Sequence, residues 1–291
     1  MPDRGALIRL LSGQAAALQA VSGAIPAISE GAALMEAALR GNGRLFYAGA
    51  GSSALMACAD GMELAGTFGI DPARVVLCMA GGLPRDARMP GDTEDDTTQA
   101  DADARQTGAG DVAIVVTASG RTPYALHFAR AAKSRGARVI AIANNPGAPV
   151  FDGADVAICL PTPPELIAGS TRLGAGTAQK AALNMMSTLM GIRLGHIHDG
   201  MMVNLRADND KLRARAMAIL CEITGASTDE ATAALGANDW NIKAAAMRLA
   251  GGDDPIGRLD RHQGCLRSAL LELSSEDQTK STNQTNMERI R

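Results

Sequence analysis

Apolar and polar positions alternate between two kinds of segment along this chain. Short runs rich in β-branched and other apolar residues recur at Arg44–Ala48, Arg74–Met79, Val112–Thr117, Arg138–Ala143 and Val156–Leu160. Each is nearly apolar throughout, as expected of strands buried on both faces. Between them lie helical patterns. Leu55–Thr67 is rich in Ala and Met, and Pro123–Arg135 starts with proline in its first turn and stops at Gly136. Strands alternating with helices predict a parallel sheet with helices on both faces, an α/β fold. Right-handed crossovers then bring the C-terminal ends of all strands to one edge.

The flanking regions follow other patterns. A helix is expected over Ala6–Leu39, interrupted near Pro26, and another over Thr177–Leu194, apolar on most faces. Gly82–Gln106 is rich in Asp, Pro and Thr with little periodicity and reads as a long surface loop. From Asp208 three short helices are expected, at Asp210–Ile223, Glu230–Leu235 and Asn241–Leu249, with the stop and new N-cap supplied by Gly225–Glu230. This divides the chain into 1–207, a compact helical unit at 208–252, and 253–291. The last of these is a helical extension whose polar end, Ser274–Arg291, reads as disordered.

Composition narrows the function. Of 291 residues 46% are hydrophobic but only 2% aromatic, so the core is built from Ala, Val, Leu, Ile and Met. The net charge is −3, and seven aromatic side chains offer little for stacking bases, which argues against nucleic acid. No apolar run approaches a membrane span, and the charged N-terminus makes a poor signal peptide. The five cysteines, Cys58, Cys78, Cys159, Cys221 and Cys265, are scattered and odd in number, the usage of buried thiols in a reducing, cytoplasmic compartment. His196 and His198 form an H-x-H with no third ligand placed by spacing, so no metal is expected.

The chemistry concentrates in two turns. Gly49–Ser53 (G-A-G-S-S) follows the first strand, and Ala118–Tyr124 (A-S-G-R-T-P-Y) follows the third. Glycine permits a tight turn, short hydroxyls donate, and a helix start adds free N–H groups, which together suit an anion. Neither turn is a dinucleotide or P-loop pattern, so a phosphorylated small molecule is expected, held by Ser52, Ser53, Ser119 and Thr122. Arg121 either pairs with the phosphate or anchors the turn to a carboxylate.

Several longer segments resemble the N-acetylmuramic acid 6-phosphate etherases, within the sugar isomerase (SIS) superfamily that includes the glucokinase regulatory protein. They are A-S-G-R-T-P-Y (118–124), N-P-G-A-P (145–149), P-E-L-I-A-G-S-T-R-L-G-A-G-T-A-Q-K (164–180), L-N-M-M-S-T (183–188) and M-V-N-L-R-A-D-N-D-K-L (202–212). The resemblance implies a three-layer SIS-type fold with a five-stranded parallel sheet and a small UBA-like three-helix unit. It also implies a cytoplasmic homodimer that takes a phosphorylated amino sugar and needs no cofactor. The activity implied is cleavage of a D-lactyl ether by elimination and rehydration, yielding N-acetylglucosamine 6-phosphate and D-lactate.

By the same resemblance Glu63 is the acid for departing lactate and the base for incoming water, and Glu94 removes the C2 proton. Met62 and Leu64 beside it suggest partial burial for Glu63. Glu165, Ser170, Thr171 and Arg172 match the family's loop after the fifth strand. There Glu165 either helps to open the sugar ring or caps a helix, while Lys180 reads as a solvated or ion-paired lysine. The chain departs from the family at Leu55 and Ala57 (arginine and glycine there), at Leu64–Gly66 (Cys-Pro-Pro) and at Gly174 (lysine), and before Gly41 it shows no counterpart to a Thr-Glu and Asn-rich segment within about twenty further N-terminal residues of typical members. These departures fall around the sugar pocket and leave two alternatives open: an aldose–ketose phosphate isomerase, or a non-catalytic sugar-phosphate sensor.

Overall fold

A computed structural model describes residues 2–89 and 91–276. Chain contacts divide it into two compact units, 1–64 with 71–190 and 65–70 with 191–291.

The first unit is built on a five-stranded parallel sheet. Its strands are β1 (Leu45–Gly49), β2 (Val75–Met79), β3 (Val112–Thr117), β4 (Arg138–Ala143) and β5 (Val156–Cys159), in the order β2-β1-β3-β4-β5. All residues of the central β1 and β3 are buried, whereas the edge strands β2 and β5 are only partly so. This is the expected gradient for a sheet covered on both faces.

Helices α1 (Asp3–Gln19) and α2 (Ile25–Arg40) precede the sheet. Pro26 sits in the first turn of α2, where its missing N–H costs nothing, so the break falls at a helix start. Helix α3 (Gly51–Phe68) follows β1, α4 (Thr97–Ala104) precedes β3, α5 (Pro123–Ser134) follows β3, and α6 (Gly174–Arg193) follows β5. One face of the sheet, including Phe46, Ala48, Ala113, Val115 and Ala141, packs with Tyr124 and Phe128 of α5 and with Ala100 and Ala104 of α4. Alternate residues point the other way, as Tyr47 does toward α3.

The expected loop at Gly82–Gln106 is in part helical: a 3-10 helix at Asp92–Asp95 leads into α4. The Asp96 side chain accepts from Gln99 N at 2.8 Å and caps α4. Ala100 and Ala104, spaced four apart, are its buried face. Such a short apolar stripe is easily hidden among Asp and Thr.

In the second unit a two-residue turn, Asp199-Gly200, joins β6 (Ile197–His198) to β7 (Met201–Met202). Helices α7 (Asp210–Thr224), α8 (Thr228–Gly236) and α9 (Ile242–Leu249) follow. Gly225 closes α7 in the left-handed conformation, and Ser227 and Glu230 form a reciprocal capping box on α8, where the stop and N-cap are expected. Helix α10 (Pro255–Arg261) and a helix at 266–276 complete this core, with Leu220, Leu235, Ile242, Met247, Leu259 and Leu266 inside. Thus 274–276, expected to be disordered, are helical, and the remainder of that stretch lies outside the described residues. No helix among the described residues is long and apolar enough to cross a membrane.

Candidate functional site

Strand order reverses between β1 and β3, which lie side by side with Gly49 opposite Val116. Helices leaving neighbouring strands at such a switch point go to opposite faces and open a crevice at the C-terminal edge. Helix α3 leaves β1 and α5 leaves β3, so both glycine- and hydroxyl-bearing turns stand at that crevice. Some 70 residues apart in sequence, they begin on adjacent strands, about 5 Å apart.

At the first turn Gly51 has φ +55°, a left-handed value that favours glycine. Ser52 is half-buried and Ser53 buried at the start of α3. Glu94 closes in from the 3-10 helix after β2: its Oε1 lies 2.6 Å from where a Cβ on Gly51 would stand. The end of β2 is tied into the same corner. The Gln99 side chain accepts from Gly81 N at 2.8 Å and donates to Met79 O at 3.2 Å, and Ala80 N donates to Gly49 O at 3.1 Å.

The second turn is held from inside. Thr117 and Thr122 share a hydroxyl hydrogen bond at 3.1 Å, and Arg121 N donates to Ser119 Oγ at 3.1 Å. Gly120, at φ +69°, has no room for a side chain: a Cβ would stand 2.2 Å from the Ala148 Cβ. Asn144 N and Asn145 Nδ2 both donate to Ala118 O. Ser119 and Arg121 are exposed, Thr122 is half-buried, and among the described residues Arg121 has no carboxylate partner. The alternative in which Arg121 anchors the turn to a carboxylate therefore finds no support.

The loop after β5 is fastened to this edge through α6. Gln179 Nε2 donates to Asn144 Oδ1 at 2.8 Å, and Asn144 Nδ2 donates to Leu160 O at 3.2 Å. Glu165 takes up its two oxygens in a helix cap, accepting from Gly174 N and Ala175 N at 2.9 Å each. The capping role is therefore made in the folded chain. Ser170 is half-buried, while Thr171, Arg172 and Lys180 are exposed.

Glu63 stands elsewhere. It is exposed, against the expectation of partial burial, because the buried stripe of α3 runs through Ala57, Asp60, Gly61 and Leu64. It lies twelve residues beyond Gly51, about 18 Å along the helix axis. Within one chain Glu94 is at the first turn and Glu63 is not. Asp60, which the sequence reading passed over, is buried beneath Glu63; a charged residue on an apolar stripe was the signal for it.

The five cysteines are all free. Burial pushes the thiol of Cys58 up to about 11 and that of Cys78 to about 12, so these two pack as neutral apolar groups.

Comparison with known proteins agrees with this architecture. Residues 13–144 match the SIS domain family, and residues 216–247, within α7–α9, match a UBA-like domain. A Bacteroides fragilis protein assigned as a phosphosugar isomerase involved in capsule formation shares the fold, with TM-score 0.53 and 19% identity over 67% of this chain and 93% of its own. An N-acetylmuramic acid 6-phosphate etherase of Deinococcus radiodurans is 40% identical over 277 residues, 93% of this chain and 90% of the relative. Another, of Pectobacterium atrosepticum, is 40% identical over 258 residues, 87% and 85% of the two chains. At this identity and coverage, with the SIS-type sheet and both turns in place, the chain belongs to the N-acetylmuramic acid 6-phosphate etherase family.

Proposed function

We propose that this protein is a carbon–oxygen lyase that cleaves the D-lactyl ether of N-acetylmuramic acid 6-phosphate or a close analogue, giving the N-acetylglucosamine 6-phosphate product and D-lactate. The full-length likeness to etherases carries the reading, and the paired turns at the β1/β3 crevice support a phosphorylated sugar. Peptidoglycan recycling in the cytoplasm is the setting that fits the substrate and five free thiols.

In this scheme the phosphate rests against Ser52, Ser53, Ser119 and Thr122, with Arg121 free to pair with it and Ser170, Thr171 and Arg172 bordering the sugar. The open-chain aldehyde acidifies the C2 proton, which Glu94 removes. The electron pair left at C2 forms the C2–C3 double bond as the C3–O bond breaks, and Glu63 protonates the departing lactate oxygen. Water then adds at C3, giving its proton to Glu63, and Glu94 returns a proton to C2. Two carboxyl groups on opposite sides of C2 and C3 suit this exchange of roles.

Those carboxyls must lie within several ångströms of adjacent carbons, and α3 separates Glu63 from the Glu94 corner by about 18 Å along its axis. A homodimer in which a second copy supplies Glu63 meets the requirement. Exposed apolar side chains support such an interface: Leu55 and Met62 on α3, and Leu7, Leu11 and Leu18 on α1. Residues 1–207 bind the sugar phosphate in this proposal, and 208–252 form an accessory helical unit.

Mixing separately inactive Glu63→Gln and Glu94→Gln chains tests the shared site. Each mixed dimer then contains one intact pair, so lactate release returns on subunit exchange. No recovery would contradict the shared site. One observation favours an isomerase as second reading: a single chain places only one of the two glutamates at the turn. Interconversion of aldose and ketose phosphates without lactate release would decide for it.

A further inference from the structure

The scheme above gives no task to the buried carboxyl group of Asp60. Asp60 is 4% exposed, on α3 one turn before Glu63. Its Oδ2 accepts from the Tyr47 hydroxyl at 2.9 Å. Its Oδ1 accepts from Asn184 Nδ2 at 2.7 Å and from Ser187 Oγ at 2.9 Å. Tyr47 belongs to β1, and Asn184 and Ser187 to α6, so one side chain ties three elements together. Gly61 makes the approach possible: a Cβ there would stand 2.8 Å from Leu77 Cδ2 and 3.0 Å from Tyr47 Cδ2.

Three neutral donors hold this carboxylate, and no cation among the described residues pairs with it. An apolar side chain of similar size would fasten α3 with no desolvation cost. What the carboxylate adds is direction: three hydrogen bonds from two sides fix the rotation of α3 at this turn, nine residues beyond Gly51. Burial lifts the Asp60 pKa above its ordinary value, the three donors oppose that lift, and the charge of Glu63 adds to it. The two carboxyl groups are therefore close enough to sense each other.

We propose that Asp60 is a positioning residue for Glu63, locking the turn of α3 that presents Glu63 to the departing lactate oxygen. This rests on the etherase reading and on Glu63 as its acid. Proton delivery demands placement that a shift of about 1 Å degrades by roughly 100-fold, whereas C2 deprotonation by Glu94 does not pass through α3 at this point.

That difference supplies the test. Wild type, Asp60→Asn and Ser187→Ala are given N-acetylmuramic acid 6-phosphate in D2O, and lactate release and deuterium at C2 are measured together, with thermal unfolding as a fold control. Asp60→Asn is expected to lower kcat for lactate roughly 10- to 100-fold, with KM unchanged and C2 exchange retained. The ratio of exchange to lactate therefore rises. Ser187→Ala, which keeps the charge and removes one donor, shows the same split more weakly and decides the matter if Asp60→Asn does not fold. An active wild type with an unchanged ratio in the folded variants overturns this inference alone. A wild type that releases no lactate overturns the etherase reading and this inference with it.

Discussion

Glu94 stands against Gly51. Its Oε1 lies 2.6 Å from the point where any side chain on Gly51 would begin, so a carboxylate from the segment after β2 touches the residue that opens α3. The proposed base thereby stands at the C-terminal edge of the sheet, beside the turn proposed to take the phosphate. Glu94→Gln is expected to lose both C2 exchange and lactate release by roughly 100-fold or more, the usual contribution of a general base. Gly51→Ala displaces the carboxylate and strains the backbone by about 1–2 kcal/mol, so it lowers kcat and melting temperature together. A fully active Glu94→Gln protein would remove Glu94 from the chemistry.

Arg121 is exposed, beside a turn that already satisfies itself through Thr117, Thr122 and Ser119. Arg121→Ala is therefore expected to raise KM roughly tenfold, in the range of one charge-assisted hydrogen bond, with little change in kcat or melting temperature. Steady-state kinetics at low and high salt check this, because a phosphate-pairing arginine loses its advantage as salt rises. An unchanged KM with lowered stability would return Arg121 to a structural role.

Glu165 is expected to act on stability. Both its oxygens accept from the first N–H groups of α6, and losing such a cap costs about 1 kcal/mol. Glu165→Ala should lower the melting temperature while turnover of the open-chain sugar, measured on its own, stays within a fewfold of wild type. Loss of activity without loss of stability would favour the ring-opening role.

The sequence was most legible where a single period governed a segment. Five strands stood out as short, nearly continuous apolar runs, of which β1 and β3 are buried throughout, and the two turns because glycine and hydroxyl residues followed β1 and β3 at the edge. Helix α4 was not legible: its buried face is two alanines, and its caps and surface are the same Asp and Thr residues that mark loops. Asp60 was missed for a related reason. Its partners Tyr47, Asn184 and Ser187 are distant in sequence, so only the folded chain turns an isolated aspartate into a junction. The distance between Glu63 and Glu94 was hidden as well, since a motif gives residue types and not the length of the helix that carries them.

Lys243 offers a check on the second unit. It is buried and donates to the carbonyls of Gly195 and Gly264, at 3.4 and 3.2 Å. Burial pulls its pKa down to about 8. Below that pH the lysine is charged in both states, and the folded protein carries the full desolvation cost. Between about 8 and 10.5 the unfolded chain binds more protons, so this contribution to stability rises with pH. Lys243→Met is expected to be more stable than wild type at pH 7 by up to roughly 3 kcal/mol, less the loss of two weak hydrogen bonds. Urea unfolding at pH 7 and pH 10.5 should show that advantage shrink; a difference independent of pH would contradict the assignment.

The most direct test of the etherase account is incubation of the purified protein with N-acetylmuramic acid 6-phosphate in D2O. The account predicts D-lactate and the 6-phosphate of N-acetylglucosamine in equal amounts, with deuterium at C2 of the sugar product. Tight binding of the sugar phosphate with neither lactate nor deuterium incorporation would contradict it and leave a sensor in its place.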